Sequence, residues 1–334
     1  MLAHEKASFS GVSSFGDGDG LSPITTDNSN MILAALQGEL DSKFSPKKEQ
    51  ANILSDVYAA LDLKSRSSRV SGCGSFLEFH VTESEKKLHQ ANFCRDRLCP
   101  MCNWRRSLKI FGQVSRVMDV LEADGYRFLF LTLTVRSCSA EDLPLTVQML
   151  FDGWRFFYNK NKRVRQSVSG SFRSLEVTRN SRTGLFHPHL HVVLAVRPDY
   201  FSGRNYISQA EWGHIWRSSC SLDYDPVIDI RVIKPNADGI SGAVAEVSKY
   251  AVKSSDFLDG SMSDKVSFVS AFLSALSGRR LCSFTGVFGK VRRDLMLDDV
   301  ETGDLVNVDG SELRSDVSYL VVRYSWRSGV YVSI

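Results

Sequence analysis

The sequence lacks a long apolar segment: no run among its 334 residues approaches the roughly 20 apolar residues that are needed to cross a bilayer. Its N-terminal stretch, MLAHEKASFSG, also lacks the basic start and the apolar core of a secretion signal. We therefore expect a cytoplasmic protein without a membrane anchor. Cysteines are mostly reduced in the cytoplasm, so clustered cysteines there indicate a metal site rather than disulfides.

The sequence also has little excess charge, with 41 basic and 38 acidic residues and a formal net charge of +3. That balance does not by itself indicate a nucleic-acid partner. The basic residues are unevenly distributed, however, because segments 155–173 and 279–293 contain no acidic residue. Such segments suit a phosphate backbone, although a single basic run is more often a solvated surface. Within the first segment, the predicted DNA contacts are Lys162, Arg163 and Arg165.

Composition and periodicity divide the chain into four parts. Residues 1–45 are rich in Ser, Gly and Asp and are expected to be disordered. Residues 46–115 are expected to form a helical region that contains a cysteine cluster, and residues 116–298 the main domain. Residues 299–334 are predicted to form a C-terminal β-hairpin extension.

The main domain shows alternating helical and strand patterns. Helical spacing predicts helices over 104–125, 143–159, 207–220 and 241–253. Apolar and β-branched runs predict strands over 128–135, 171–179, 186–196 and 227–234. This order predicts an α+β fold, in which a central antiparallel sheet with a ferredoxin-like or RRM-like core is flanked by helices.

Three of the seven histidines alternate along one predicted strand, in the run HPHLHV. Side chains alternate between the faces of a strand, so His187, His189 and His191 share one face. Converging imidazoles can hold a divalent cation, whereas a single histidine would more often be a surface or hydrogen-bonded residue. Magnesium and manganese prefer oxygen ligands, so we expect a carboxylate to complete the set. Glu176 on the preceding strand is the favoured candidate, and Asp229 is the weaker alternative.

A tyrosine follows in the segment EVSKYAVK. On a helix, Glu246, Tyr250 and Lys253 would lie along one stripe. Tyr250 beside a metal could attack a phosphodiester, with Lys253 favouring the phenolate or binding a phosphate and Glu246 acting as a general base for water. Without the histidines, the same pattern would indicate only an amphipathic surface helix.

Four cysteines have the spacing of a structural zinc site, and three of them lie in the run CRDRLCPMC. The predicted ligands are Cys73, Cys94, Cys99 and Cys102. His80 or His89 could replace Cys73 as the fourth ligand. A closed site of this kind would form a small zinc-binding N-terminal unit and present nearby arginines to DNA. These are Arg95, Arg97, Arg105 and Arg106.

Together, these motifs resemble the plasmid rolling-circle replication initiators of the Rep_1 type, within the HUH endonuclease superfamily. The run CRDRLCPMCNWRRS resembles the N-terminal signature of that family, and FLTLTV resembles its first core motif. HPHLHV resembles the HUH motif, with His189 and His191 in the metal-binding positions. EVSKYAVK resembles the tyrosine motif, with Tyr250 as the nucleophile and Glu246 one turn before it.

The resemblance implies a HUH catalytic domain over 116–298 and a specific activity in a bacterial cytoplasm. Such proteins recognise a replication origin, often as an extruded hairpin, and nick one strand with Mg²⁺ or Mn²⁺. They stay joined to the 5′ end through phosphotyrosine, leave a 3′-OH primer and later rejoin the DNA. A glutamate, here Glu246, is thought to activate water that completes the cycle. A host helicase is a further expected partner, and His187 is either a third metal ligand or a supporting group.

Two alternatives remain open from the sequence. A HUH transposase or a mobilisation relaxase would use the same chemistry at a transposon end or a transfer origin. A non-catalytic DNA-binding regulator would use only the zinc unit and the basic segments, but it leaves the histidine strand and the tyrosine without a role.

Overall fold

Two antiparallel β-sheets organise the chain in a computed structural model that describes residues 26–82, 85–202, 204–234, 237–249, 253–308 and 319–334. Helices flank both sheets, so the predicted α+β class with antiparallel sheets is confirmed. Among the helices described, none is long and apolar enough to span a membrane.

The larger sheet has five strands in the order β6-β3-β5-β4-β7. The strands are β3 (Arg127–Thr134), β4 (Gly170–Arg179), β5 (Phe186–Val196), β6 (Ile228–Ile233) and β7 (Cys282–Thr285). The histidine strand β5 is the central one, and it pairs with β3 on one side and β4 on the other. Ten of its eleven residues are buried, which explains its nearly continuous apolar composition.

The smaller sheet has four strands in the order β2-β1-β8-β9. The strands are β1 (Phe76–Val81), β2 (Lys86–Ala91), β8 (Leu320–Arg327) and β9 (Val330–Ser333). The aromatic ring of Phe44 lies at the centre of the core beneath this sheet, in edge-to-face contact with Phe79, Trp104 and Tyr331. This core joins residues from the two ends of the chain.

Eleven α-helices are assigned in the described residues. They are α1 (Thr26–Glu39), α2 (Ser45–Ala60), α3 (Lys64–Ser71), α4 (Pro100–Ala123), α5 (Leu143–Asn159), α6 (Lys162–Ser167), α7 (Gln209–Ser219), α8 (Ala237–Val247), α9 (Ser255–Leu258), α10 (Met262–Leu276) and α11 (Gly286–Asp294). A π-helical turn, Leu40–Phe44, joins α1 to α2, and a 3₁₀ turn, Pro198–Phe201, follows β5. Helix α8 covers the histidine face of the larger sheet, where the Ser174 hydroxyl of β4 donates to the Val247 carbonyl at 2.7 Å. Helices α5 and α10 pack together on the reverse face, where Phe151 of α5 lies under the Arg173 guanidinium of β4.

Three sequence predictions require correction. The prediction of disorder over 1–45 was wrong for residues 26–45, which form helical turns with Leu36, Leu40 and Phe44 buried; residues 1–25 lie outside the described part of the chain. The prediction averaged composition over residues 1–45, so the polar residues before residue 26 outweighed the helical spacing of these three apolar residues. The C-terminal hairpin is not a separate extension, because β8 pairs with β1 and completes the smaller sheet.

The third correction concerns the tyrosine helix, predicted over 241–253. Helix α8 ends at Val247, and Ser248 and Lys249 form a turn. At this end of the helix, the hydroxyl of Ser174 donates a hydrogen bond to the carbonyl of Val247. Glu246 and Lys253 therefore do not share one continuous helix.

A glycine at the junction of β7 and α11 allows a close backbone approach. Gly286 has a φ of +55°, and a Cβ atom built there would lie 2.7 Å from the Gly170 Cα and even closer to the Ser169 carbonyl oxygen. Both the left-handed conformation and the clash disfavour any side chain. The joint between β7, β4 and α11 therefore depends on glycine.

We expect Gly286→Ala to lower the free energy of unfolding by about 3 kcal/mol, as measured by urea denaturation. Gly184 is the matched control, because its φ is +70° but no atom lies within 4 Å of a built Cβ. Gly184→Ala should cost only about 1 kcal/mol, the conformational part of the penalty. Equal losses for the two variants would contradict the close approach.

Candidate functional site

The centre of the larger sheet brings one carboxylate and two imidazoles together. On β5, His189 pairs with Glu176 of β4, and His191 pairs with Ser174. The Glu176 Oε2 atom lies 2.8 Å from His191 Nε2 and 3.3 Å from His189 Nε2. The two Nε2 atoms are 3.1 Å apart. All three side chains are buried, with at most 8% of any residue exposed.

These separations fit ligands that share one divalent ion. Adjacent ligand atoms of an octahedral magnesium or manganese site lie about 3 Å apart, because each is about 2.1 Å from the ion. The three observed distances, between 2.8 and 3.3 Å, agree with that spacing. The mixture of one carboxylate oxygen and two imidazole nitrogens suits a cation such as Mn²⁺.

The second ring nitrogen of each imidazole also has a partner. The Nδ1 of His189 lies 3.0 Å from the carbonyl oxygen of His187, to which it can donate. The Nδ1 of His191 lies 3.4 Å from the hydroxyl of Thr132 on β3. A proton on Nδ1 leaves the Nε2 lone pair for a metal, and such outer contacts orient metal-binding histidines. The sequence reasoning missed Thr132, although strand alternation within FLTLTV already places it on the histidine face.

The charge of Glu176 suits a cation ligand. Burial opposes its ionisation, but the contacts of its carboxylate with the imidazoles of His189 and His191 outweigh burial and hold its pKa well below the usual range. Glu176 is therefore an anion at neutral pH.

Neither His187 nor Asp229 joins this group in the structure. The ring of His187 stands 5.3 Å from that of His189, and it contributes its main-chain carbonyl to the group. Burial and the neighbouring His189 lower the pKa of His187. The carboxylate of Asp229 instead pairs with Arg231 at 2.7 Å. Of the two predicted carboxylates, Glu176 is the one that the hairpin brings level with the histidines.

Two further predicted residues lie at the edge of this group. Glu246 Oε1 is 3.8 Å from His191 Nε2, and the other oxygen of Glu246 accepts from Lys249 at 2.5 Å. Lys253 Nζ is 3.6 Å from Glu176 Oε1. Tyr250 stands between them in the sequence but lies outside the described residues.

An open cleft of about 560 Å³ lies beside the group, between α8 and strands β3 and β6. Its lining includes Thr132 and Glu246, which both contact His191. Asp229 and Arg231 form the polar wall on the β6 side. A volume of this size accommodates a nucleotide-sized ligand next to the buried carboxylate and imidazoles.

The four predicted cysteines converge at a second site, next to the smaller sheet. Sulfur–sulfur distances are 3.6 Å for Cys73–Cys102 and Cys73–Cys99, and 3.7 Å for Cys94–Cys102. Thiolates around a tetrahedral zinc, at about 2.3 Å from the metal, would lie about 3.8 Å apart. Backbone N–H groups of residues 94–96 donate to these sulfurs, which is the usual second layer of such a site.

A buried lysine accompanies the cysteines and was not predicted. Lys48 of α2 is 1% exposed, and its ammonium donates to the Ser71 carbonyl. Burial lowers its pKa, whereas the nearby Cys73 and Cys99 raise it. A positive charge at this position would offset the negative charge of four thiolates around one zinc.

The alternative zinc ligands His80 and His89 are elsewhere. Their rings are stacked, with centroids 3.7 Å apart and planes 14° apart, beside Glu78 on the smaller sheet. In-plane lone pairs of parallel rings do not converge on one ion, and Arg323 already holds Glu78 at 2.6 Å. The orientation of the two rings therefore argues against a metal site at Glu78, His80 and His89, although the distances between their ligand atoms would allow one.

Most of the predicted DNA-binding arginines near the cysteines turn inward. Arg105 and Arg106 are 7% and 1% exposed and donate to main-chain carbonyls, those of Leu305 and Val306 for Arg105 and of Arg95 and Asp96 for Arg106. Arg97 donates to the carbonyls of residues 276 and 279 at 2.7 and 2.6 Å. These arginines tie the cysteine loop to distant segments.

The remaining predicted DNA contacts differ in exposure. Arg163 pairs with Glu211 at 3.1 Å and donates to two main-chain carbonyls. Lys162 and Arg165 are exposed on α6, and Arg95 donates at 3.4 Å to the Thr302 carbonyl on the surface. For these residues DNA contact stays a prediction.

Comparison with known proteins identifies the relatives of this chain. A family model described as "Replication protein" (Rep_1) matches residues 85–332. "Protein rep" of Bacillus amyloliquefaciens is 36% identical over 310 residues, covering 85% of this chain and 91% of the relative. "Protein rep" of Streptococcus pneumoniae is 36% identical over 287 residues, covering 84% and 88%. "Replication protein" of Staphylococcus aureus is 31% identical over 211 residues, covering 61% and 89%. No solved structure matches the chain significantly.

Proposed function

Because the chain belongs to the Rep_1 family of replication proteins, we propose that it initiates rolling-circle replication of a plasmid by nicking one strand of the origin. The observation that carries the proposal is the buried group of Glu176, His189 and His191, with Glu246 and Lys253 at its edge. We assign the larger sheet and its helices to a HUH-type core, and the cysteine cluster to a structural zinc unit. Family membership favours a replication initiator over a transposase or a relaxase.

The first step is strand transfer to tyrosine. A Mg²⁺ or Mn²⁺ ion held by Glu176, His189 and His191 would polarise the scissile phosphate. The Tyr250 phenol oxygen attacks the phosphorus, so a phosphotyrosine bond forms at the 5′ end as the bond to the 3′ oxygen breaks. The phenolic proton ends on the departing oxygen, which becomes the 3′-OH primer. Lys253, 3.6 Å from Glu176 Oε1, supplies positive charge that favours the phenolate.

The second step releases the protein. Glu246 takes a proton from a water molecule, and the water oxygen attacks the phosphorus as the bond to the Tyr250 oxygen breaks. The DNA is left with a 5′-phosphate, and the proton passes to the Tyr250 phenolate. The carboxylate of Glu246 suits this role because it is only partly buried, in the wall of the cleft beside His191. Lys249, which contacts the same carboxylate, positions it.

An adduct assay tests the nicking proposal. Purified protein is mixed with end-labelled single strands that cover candidate origins of its own replicon, with Mn²⁺, and resolved on a denaturing gel. We expect a slow-migrating protein–DNA band that EDTA and Tyr250→Phe remove. Tyr206→Phe, at a half-exposed tyrosine away from the cluster, should leave the band intact. DNA binding without any metal-dependent cleavage would instead favour the non-catalytic regulator.

The role of Glu246 gives a separate prediction. Glu246→Gln should still form the adduct, while hydrolytic release of the protein slows by about 100-fold or more. The decay of purified adduct in a chase experiment measures this step. Glu141→Gln changes an exposed glutamate in the turn before α5; it is the matched control and should behave as wild type. Equal loss of adduct formation and release in Glu246→Gln would contradict a role confined to the second step.

A further inference from the structure

A groove on the reverse face of the larger sheet brings four arginines together from separate parts of the chain. The groove has a volume of about 300 Å³ and is lined by Arg155 of α5, Arg173 of β4, and Arg279 and Arg280 between α10 and β7. Arg173 alternates along β4 with Ser174, which faces α8, so its side chain lies on the sheet face opposite to the histidines. This groove is therefore separate from the proposed cleavage site.

Two of the four arginines lack an acidic partner. Arg280 pairs with Asp299, and Arg155 pairs with Asp152 at 3.0 Å. Within the described part of the chain, neither Arg173 nor Arg279 forms an ion pair, and both donate to uncharged oxygens. Two guanidinium groups of the groove thus carry positive charge without an ion-pair partner among the described residues.

The carboxylates near the groove have other partners. Asp299 also accepts from the backbone amides of Glu301 and Thr302. Glu301 accepts from the amides of residues 281 and 282 and contacts Arg97 at 3.4 Å. Glu301 acts on Arg173 through its charge and raises the pKa of that guanidinium, but neither carboxylate forms an ion pair with Arg173 or Arg279.

Burial makes the unneutralised charge costly. Arg173 is 6% exposed and lies over the Phe151 ring at 4.6 Å. Its Nε–H and that of Arg279 are buried and find no acceptor among the described residues. Burial lowers the pKa of Arg173 to about 10, so its guanidinium still carries its charge at neutral pH. An anion in the groove would stabilise a desolvated charge that has no ion-pair partner.

We propose that this groove binds phosphate groups of a DNA strand, as a second nucleic-acid contact on the face of the sheet opposite to the histidines. The planar guanidinium matches phosphate geometry and binds it through paired hydrogen bonds. Arg155 lies at the exposed rim with 69% of its side chain accessible, whereas Arg173 lies inside. Successive phosphates of one strand can contact both Arg155 at the rim and Arg173 inside the groove, whereas a single small anion contacts one of them. The inference rests on the proposed DNA substrate but not on the nicking chemistry.

The test removes Arg155 at the rim and Arg279, which forms no ion pair among the described residues. The double variant Arg155→Ala/Arg279→Ala keeps the buried Arg173 in place, and Arg116→Ala/Arg327→Ala removes two exposed arginines elsewhere as the matched control. Fluorescence anisotropy with a short labelled single strand of arbitrary sequence, in EDTA to prevent cleavage, gives Kd over a salt series. We expect Kd to rise about tenfold for the groove variant, and the slope of log K against log salt to fall by about 0.7 for each phosphate that the variant no longer neutralises.

Several outcomes would overturn the inference. Affinity and salt slope equal to those of the control variant would do so, provided that both variants melt at the wild-type temperature. Displacement of the strand by inorganic phosphate at constant ionic strength, from wild type but not from the groove variant, would assign the groove to a small phosphorylated ligand instead.

Cleavage at saturating DNA separates this inference from the proposed function. A groove variant that binds weakly but still forms the Tyr250 adduct supports the groove. If the groove variant binds DNA more weakly than wild type but wild type forms no adduct, the nicking proposal is contradicted and the groove proposal is not. Normal affinity with normal adduct formation contradicts the groove alone.

Discussion

Glu176→Gln should reduce the single-turnover rate of metal-dependent cleavage by about 1,000-fold, equivalent to about 4 kcal/mol of transition-state stabilisation. Glu176 supplies the carboxylate of its group, and its Oε2 atom lies within 3.3 Å of both imidazole Nε2 atoms. An amide of the same shape keeps the packing but loses the negative charge that a hard cation requires. The measurement is the cleavage rate over a range of Mn²⁺ concentrations with a single-stranded origin oligonucleotide.

The smaller sheet offers a close control for this variant. Glu78 is also a buried glutamate beside a histidine, 3.5 Å from His80, but its neighbouring imidazoles are stacked rather than convergent. Glu78→Gln should therefore leave the cleavage rate and its Mn²⁺ dependence unchanged. Affinity for the oligonucleotide, measured in EDTA, should stay at the wild-type value for Glu176→Gln. If Glu176→Gln kept more than about one tenth of the wild-type rate, the assignment of Glu176 as a metal ligand would be wrong.

Cys99→Ser should remove zinc from the protein and unfold the cysteine unit, with a loss of at least about 5 kcal/mol. Cys99 is fully buried, and its sulfur lies 3.6 Å from that of Cys73. A structural zinc site contributes its binding free energy directly to folding, because the unfolded chain does not hold a preformed site. The loss should be large since Arg97 ties this loop to the 276–279 segment, and Arg105 and Arg106 tie the helix that follows it to residues 301–306. Zinc content by atomic absorption and urea denaturation measure the two effects.

Cys220→Ser is the matched control for this prediction. Cys220 is buried in the main domain, away from the four-cysteine cluster, and burial raises its pKa to about 12, as expected for a neutral core thiol. Its replacement should cost about 1–2 kcal/mol without any change in zinc content. If Cys99→Ser matched Cys220→Ser in both measurements, the four cysteines would be core residues rather than metal ligands.

Much of the site followed from local patterns in the sequence. Alternation along β5 placed His189 and His191 on one face, and the short connection to β4 favoured Glu176 over Asp229. Both expectations depend on the backbone geometry of a few neighbouring residues, namely strand alternation and a short hairpin connection, which can be recognised in the sequence. The cysteine spacing is equally local for Cys94, Cys99 and Cys102, while Cys73 reaches the cluster from the segment before β1.

Other features depended on contacts between distant segments. Helix α8 ends at Val247, where the Ser174 hydroxyl of β4 donates to its last carbonyl, a contact that no periodicity in the sequence indicates. The arginines after the cysteines looked like a DNA-binding run, but Arg105 and Arg106 are buried by residues about 200 positions away. A charged side chain has the same sequence signature whether it faces solvent or a carbonyl from another segment.

The sequence by itself determined the α+β class, the histidine strand, the cysteine cluster and the resemblance to replication initiators, because these depend on strand alternation and residue spacing within short stretches. Only the tertiary structure decided that segments 76–91 and 320–333 share one sheet, that Leu36, Leu40 and Phe44 belong to the core, and that four arginines meet in one groove. Those features arise where segments far apart in the sequence pack together, and the burial that drives such packing favours apolar surface without regard to position along the chain.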